Sequence, residues 1–343
     1  MRWWLLLVIG CGGSHGKPAD APLDGMQPIV APAGTWTWVP IDGMQCADGS
    51  PTGIGVNLSD ASDRVVVYMQ GGGACWDVNT CFTLMTAVHI TGGFGQTDFN
   101  NDISTLSQSY LFQRVAANPG KDASWVYVPY CTGDLHDGAN VAMYDATHVV
   151  HHVGRTNASV LFPRVAATRP AADVVWLVGV SAGGYGVAFD WDIARAAWPG
   201  AAVHALADSS PLVTTEPTRW TAMQGSWKTT FPSGCTSCSG DLGAMPAALR
   251  ANMPAGARYG LLANTRDQTI STYFGLTQDQ LSTEILAEQA AMTAGSGQAA
   301  YLLGGTGHVL LGNPAAMTTT GVVLSTWVGQ WATGDTAWAN AGP

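Results

Sequence analysis

The sequence predicts one large α/β domain built on a mainly parallel β-sheet. Two observations carry that expectation, and the composition permits it. Short apolar runs rich in β-branched residues recur along the chain, and helical patterns fall between them. Of the 343 residues, 47 % are hydrophobic and 11 % charged, whereas an average soluble domain is roughly 25 % charged. Continuous rather than alternating hydrophobicity marks strands covered on both faces, as in a parallel sheet layered by helices.

From the N-terminus, Trp3 to Ile9 form an apolar run behind Arg2 and end at Val8-Ile9-Gly10-Cys11. Residues 1–11 resemble a bacterial lipobox, in which Cys11 is acylated and anchors a soluble domain at a membrane. An ordinary signal peptide cut further on is the alternative, and both readings imply export. Residues 12–33, rich in Pro, Gly and Ala, read as a tether unable to build a core. The catalytic domain is expected over residues 34–343.

Residues 35–41 and 53–58 read as an edge hairpin. Core strands are expected at 64–69, 125–129, 174–180, 202–207, 258–263 and 301–304. Between them, residues 184–198 place Val187, Trp191, Ala194 and Trp198 on one helical face, closed by Pro199-Gly200. Thr277 to Gln280 form a capping box before Leu281, Ile285, Leu286 and Ala290. Residues 209–250 exceed a simple connection and are expected to form a cap over the site. No later stretch has the ~20 apolar residues of a membrane-spanning helix. Fourteen Lys and Arg against 24 Asp and Glu give a net charge of −10 with no basic cluster, which argues against a nucleic-acid partner.

Gly179-Val180-Ser181-Ala182-Gly183 is a GxSxG motif that follows the most apolar strand and opens into a helix. That placement is what a nucleophile elbow requires. A serine nucleophile needs a base, and the base needs an orienting carboxylate. Of the eight histidines, only His204 and His308 follow Ser181. His204 sits mid-strand, so His308, in a glycine loop after a strand, is the base candidate. Asp267 is the preferred acid, and Asp208, at the end of the preceding strand, competes with it. Gln70-Gly71-Gly72-Gly73 follows a strand as an oxyanion loop would, offering the amides of Gly72, Gly73 and Ala182.

Gln70-Gly71-Gly72-Gly73-Ala74-Cys75-Trp76, Val128-Pro129-Tyr130-Cys131-Thr132-Gly133-Asp134 and Gly179 to Gly184 together resemble the pectin acetylesterase/Notum family of serine carboxylesterases. The resemblance runs in order from about Gly43 to His308. It implies an α/β-hydrolase fold with helices on both faces, a Ser181–Asp267–His308 triad and an oxyanion hole at Gly72, Gly73 and Ala182. It also implies Cys46–Cys131 and Cys75–Cys81 disulfides, leaving Cys235 and Cys238 to close on each other. A redox role for that CxxC lacks thioredoxin-like context. Plant-type members carry Glu, Trp and Cys where this chain has Gln70, Ala74 and Val309, and these departures bear on the substrate.

The implied activity is removal of acyl groups, acetyl first, from a polysaccharide, without cofactor or metal, by an exported monomer. A lipid or polyester esterase keeps the same triad, and a silent glycan-binding protein is the rival from another class. The net charge of −10 would repel a polyanionic pectin. Trp76, Asp134, Trp220 and Trp227 are candidate substrate contacts. His148, His151 and His152 place two imidazoles at a zinc-compatible spacing, but without a HExxH glutamate they read as surface or helix-packing residues.

Overall fold

The computed structural model describes residues 27–343 apart from residue 294. The lipobox at Cys11 and the tether as far as residue 26 lie outside the described residues. Ile29 is buried and its amide donates to Thr168 Oγ1 at 2.8 Å, so packing begins before residue 34.

Among the described residues the chain forms β1 (Thr37–Gln45), β2 (Pro51–Asn57), β3 (Val65–Met69), α1 (Gln96–Leu106) and β4 (Ser124–Val128). A small hairpin, β5 (Asn140–Met143) and β6 (Val149–His152), precedes α2 (Gly154–Thr168) and β7 (Val174–Val180). Then come α3 (Ala182–Phe189), α4 (Trp191–Ala197), β8 (Ala202–Asp208), α5 (Pro217–Trp227) and α6 (Met245–Asn252). The chain ends with β9 (Tyr259–Asn264), α7 (Gln268–Phe274), α8 (Gln278–Ala291), β10 (Gln298–Leu303) and α9 (Leu324–Thr333).

The main sheet is eight-stranded in the order β1-β2-β4-β3-β7-β8-β9-β10. The expected edge hairpin, β1 and β2, is antiparallel and joins β4 antiparallel, whereas β4 through β10 run parallel. Side chains alternate across it as the pleat demands. Val65, Val67 and Met69 face one core with Leu161, Phe162, Tyr185 and Trp191 of α2 to α4. Val66 and Tyr68 face the other with Phe99 of α1 and Trp327 and Trp331 of α9. Helices therefore cover both faces, which is the α/β-hydrolase arrangement.

Three elements differ from expectation. The helix expected over 184–198 breaks at Asp190, which ends α3 and begins α4. The carboxylate there is fully buried, and Arg155 takes both it (3.2 Å) and the Phe189 carbonyl, replacing a helical hydrogen bond. Val187, Trp191, Ala194 and Trp198 still share a buried face. The α8 capping box forms, yet Leu286 and Ala290 are exposed and Glu288 is buried beside Leu281 and Ile285. Segment 209–250 holds α5 and part of α6, and its Trp220, Met223, Trp227, Leu242 and Met245 belong to the main core. It is built into the body of the domain, beside the elbow.

His148 and His152 are not on a helix: the first precedes β6 and the second ends it. His148 is paired with Asp145 at 2.7 Å, whereas His152 is buried. Its Nδ1 meets the Thr132 carbonyl at 2.8 Å, and burial lowers its pKa to about 4. Cys75, Cys81 and His152 lie together, but the two sulfurs are bonded to each other and thus not free to ligate.

Candidate active site

Loops meet at the carboxyl ends of the parallel strands, where open α/β sheets bind ligands. The loop after β7 carries Ser181 at φ 53° and ψ −122°, a conformation that side chains rarely adopt. The strain turns the chain sharply from strand to helix, as a nucleophile elbow does. Glycine is needed at Gly183, because a methyl there would lie 2.0 Å from the Met69 carbonyl oxygen. Ser181 is the N-cap of α3 but its side chain makes no cap hydrogen bond.

The loop after β3 abuts the elbow: a methyl on Gly71 would lie 2.9 Å from Ser181 Cβ. Beyond it the Gly72 carbonyl accepts from Val88 and the Ala74 amide donates to Thr86. The amides of Gly72, Gly73 and Ala182 donate no hydrogen bond among the described residues. Gln70 anchors the loop's start, its amide donating to Asp102 (2.7 Å) and its oxygen accepting from the Tyr130 amide (2.9 Å).

Asp267 follows β9 and is 1 % exposed. Its Oδ1 accepts from the amides of Thr269 and Ile270 at 2.9 and 3.1 Å, capping α7. Its Oδ2 meets His308 Nδ1 at 2.7 Å. Helix cap and imidazole holder are the same carboxylate. The His308 loop is laced to it, since the Arg266 and Gln268 amides donate to the carbonyls of Gly305 and Thr306. Arg266 itself pairs outward with Asp279 at 2.7 Å.

Asp208, the competing acid, does not touch the imidazole ring through a hydrogen bond. Its carboxylate accepts from the amides of Leu310 and Leu311, at 2.8 and 2.7 Å for Oδ2. Burial pushes its pKa up to about 6 against the pull of those amides, the Ser209 hydroxyl and the charge of His308. His204 packs mid-strand near Trp331 and accepts from the Arg258 amide.

A cavity of about 20 Å³ opens between Ser181, Ala182 and Gly73. Leu135, Tyr185, Met223, Ile270, Tyr273 and Phe274 close it, so its walls are mostly apolar. None of these six carries a recognisable motif, and their shared location was not legible in the sequence.

Three of the four candidate substrate contacts are corrected by burial. Trp220 is 1 % exposed and Trp227 and Asp134 are 0 % exposed. Trp220 donates to the Cys238 carbonyl and Trp227 to the Cys75 carbonyl, so both indoles brace loops. Asp134 accepts from the Thr132 hydroxyl and the amides of His136, Gly138 and Gly154. Desolvation nonetheless pushes its pKa up to about 6. Trp76 is half-buried, with the Arg219 guanidinium 5.9 Å from its ring centre. Cys46–Cys131, Cys75–Cys81 and Cys235–Cys238 are bonded, with Cα separations of 4.9, 5.0 and 5.6 Å.

Comparison with known proteins identifies the family and the fold. The chain is 27 % identical over 179 residues to the palmitoleoyl-protein carboxylesterase NOTUM of Mus musculus and, equally, of Homo sapiens. Those alignments cover 48 % of this chain and 33 % of the relatives, so the match spans about a third of their length. The solved structure of the Wnt deacylase Notum from Drosophila superposes with a TM-score of 0.69 at 16 % identity. It covers 91 % of this chain and 96 % of that one, and shows the shared fold. The pectinacetylesterase family model matches residues 38–248, which hold the Gly71–Gly73 loop and the Ser181 turn, and the chain belongs to that family of carboxylic ester hydrolases.

Proposed function

We propose that this protein is a serine carboxylesterase that removes acetyl groups from a polysaccharide. The observation that carries the reading is the small, mostly apolar pocket at Ser181 beside the Asp267–His308 pair. Asp267 fixes the imidazole with Nδ1 protonated, leaving Nε2 to accept the Ser181 proton. Ser181 Oγ holds no hydrogen bond among the described residues, and catalytic hydrogen bonds are often long before substrate binds.

The alkoxide then attacks the ester carbonyl, and the oxyanion is met by the amides of Gly72, Gly73 and Ala182. The protonated imidazole returns its proton to the leaving sugar oxygen. Water, deprotonated by the same nitrogen, releases acetate from Ser181.

A volume of about 20 Å³ holds roughly one water-sized group, which suits the methyl of an acetyl. The NOTUM relatives are named for a palmitoleoyl substrate, a chain far larger than this cavity. Phe274 and Met223, which close it, are buried core residues rather than a mobile rim. Trp76 remains a candidate sugar contact. Three disulfides and the lipobox-like start support an exported, lipid-anchored protein.

Hydrolysis of p-nitrophenyl acetate, butyrate and octanoate by wild type and Ser181→Ala tests the reading. Acetate should be preferred and the variant inactive; equal rates for the two proteins, or an octanoate preference, would refute it. Acetate release from acetylated xylan, chitin and pectin then identifies the polymer.

A further inference from the structure

Ser181 and His308 come from loops after different strands, and of the two Asp267 hydrogen-bonds only His308, through its imidazole. Something else must set the distance between the two peptide backbones. The segment at the end of β8 makes hydrogen bonds to both. The Ser181 amide donates to the Asp208 carbonyl at 2.8 Å, and the Ser210 hydroxyl donates to the Ser181 carbonyl at 2.6 Å. On the other side, three consecutive amides after His308 point at the same segment. Val309 donates to Ser209 Oγ at 2.8 Å, Leu310 to Asp208 at 2.8 Å and Leu311 to Asp208 at 2.7 Å. The Ser209 hydroxyl in turn donates to Asp208 Oδ1 at 3.1 Å.

Strain points the same way. Ser181, Ser209 and Val309 all hold positive φ, at 53°, 56° and 65°. Such conformations persist only where the surroundings over-determine them, and for a β-branched valine the conformation is a genuine outlier. Asp208 and Ser209 are both 0 % exposed, so their bonds are made out of water, where a lost acceptor is not replaced.

We propose that Asp208, acting with Ser209, is a positioning residue that fixes the His308 loop against the Ser181 elbow. It does not touch substrate. Its carboxylate binds successive backbone amides, so it sets where the imidazole stands, while Asp267 sets how the ring is turned. This inference rests on the serine-esterase reading above.

The test compares Asp208→Asn, Ser209→Ala and Ser181→Ala with wild type on p-nitrophenyl acetate. Asparagine keeps the shape and one acceptor oxygen. Asp208→Asn should lower kcat about 10- to 100-fold with KM within about threefold, the size expected of a displacement near 1 Å. Ser209→Ala should show a smaller loss of the same kind. Titration with a serine-directed organophosphate separates positioning from damage to the fold. Positioning leaves every Ser181 reactive but slow, whereas a merely structural role leaves a fraction reacting at the wild-type rate.

Wild-type kcat in folded Asp208→Asn and Ser209→Ala, or a loss confined to KM, would overturn the proposal. Partial labelling at full rate would overturn it too. If Asp208→Asn does not fold, Ser209→Ala decides alone. Activity that survives Ser181→Ala would instead overturn the esterase reading and this proposal with it, so the two failures are distinguishable.

Discussion

Met223→Ala should shift acyl preference toward butyrate. Met223, on α5, is fully buried and forms part of the wall of the cavity beside Ser181. Wild type has about 20 Å³ there, room for about one water-sized group such as the methyl of an acetyl. Truncation removes three heavy atoms, opening space for the two methylenes that butyrate adds. At about 0.8 kcal/mol per buried methylene the gain is about 1.6 kcal/mol, or roughly 15-fold in relative kcat/KM. The fold should survive a cost of about 2–5 kcal/mol only if stability is sufficient, so near-ultraviolet dichroism accompanies the kinetics. The assay is the ratio of kcat/KM for p-nitrophenyl butyrate and acetate in both proteins. A ratio unchanged within twofold in a folded variant would refute the assignment of this cavity to the acyl group.

Three further outcomes follow from the geometry. Asp267→Asn should cut kcat by up to about 10⁴-fold, because the imidazole loses the partner that fixes its tautomer, and Asp267→Ala should also cost about 1 kcal/mol of stability through the lost α7 cap; activity and urea midpoints check both. Removing the Cys46–Cys131 bridge, which spans 85 residues of sequence, should cost about 4–5 kcal/mol in urea unfolding by the chain-entropy relation; an unchanged midpoint would contradict a structural role. Glu288 is buried and desolvation pushes its pKa up to about 8 from 4.5. The folded state keeps that proton longer, so stability should fall by up to about 1.4 kcal/mol per pH unit between pH 4.5 and 8. Glu288→Gln should flatten that dependence, as pH-resolved unfolding would reveal; an unaltered slope would exclude Glu288 as its source.

Much of the candidate site's order along the chain was legible because local chemistry marks it. GxSxG after an apolar strand marks a turn that needs glycine on both sides, and the structure puts Ser181 at that turn. His308 was reached by elimination along the chain, since only it and the mid-strand His204 follow Ser181. Asp267 and Asp208 both end strands, and only tertiary contact separates them. One meets the imidazole, the other the amides behind it.

Inference from residue type to exposure failed at particular positions. Trp220 and Trp227 were assigned to substrate because they sit in a long insertion, yet the insertion packs into the core and their indoles bond to carbonyls there. Asp134 lies in a family-like motif, but four donors close around it. Hydrophobic spacing likewise put Leu286 and Ala290 inside α8, whereas the neighbouring elements cover Glu288 instead.

The sequence by itself determined the sheet class, the core strands, the nucleophile candidate and the family resemblance. Those depend on periodicity, turn chemistry and short motifs, which are local properties of the chain. Only the tertiary structure decided which acid holds His308, which side chains line the cavity beside Ser181, and that Asp208 joins the Ser181 and His308 loops. Each of these depends on residues tens of positions apart meeting at the ends of different strands, and no local pattern encodes such a meeting.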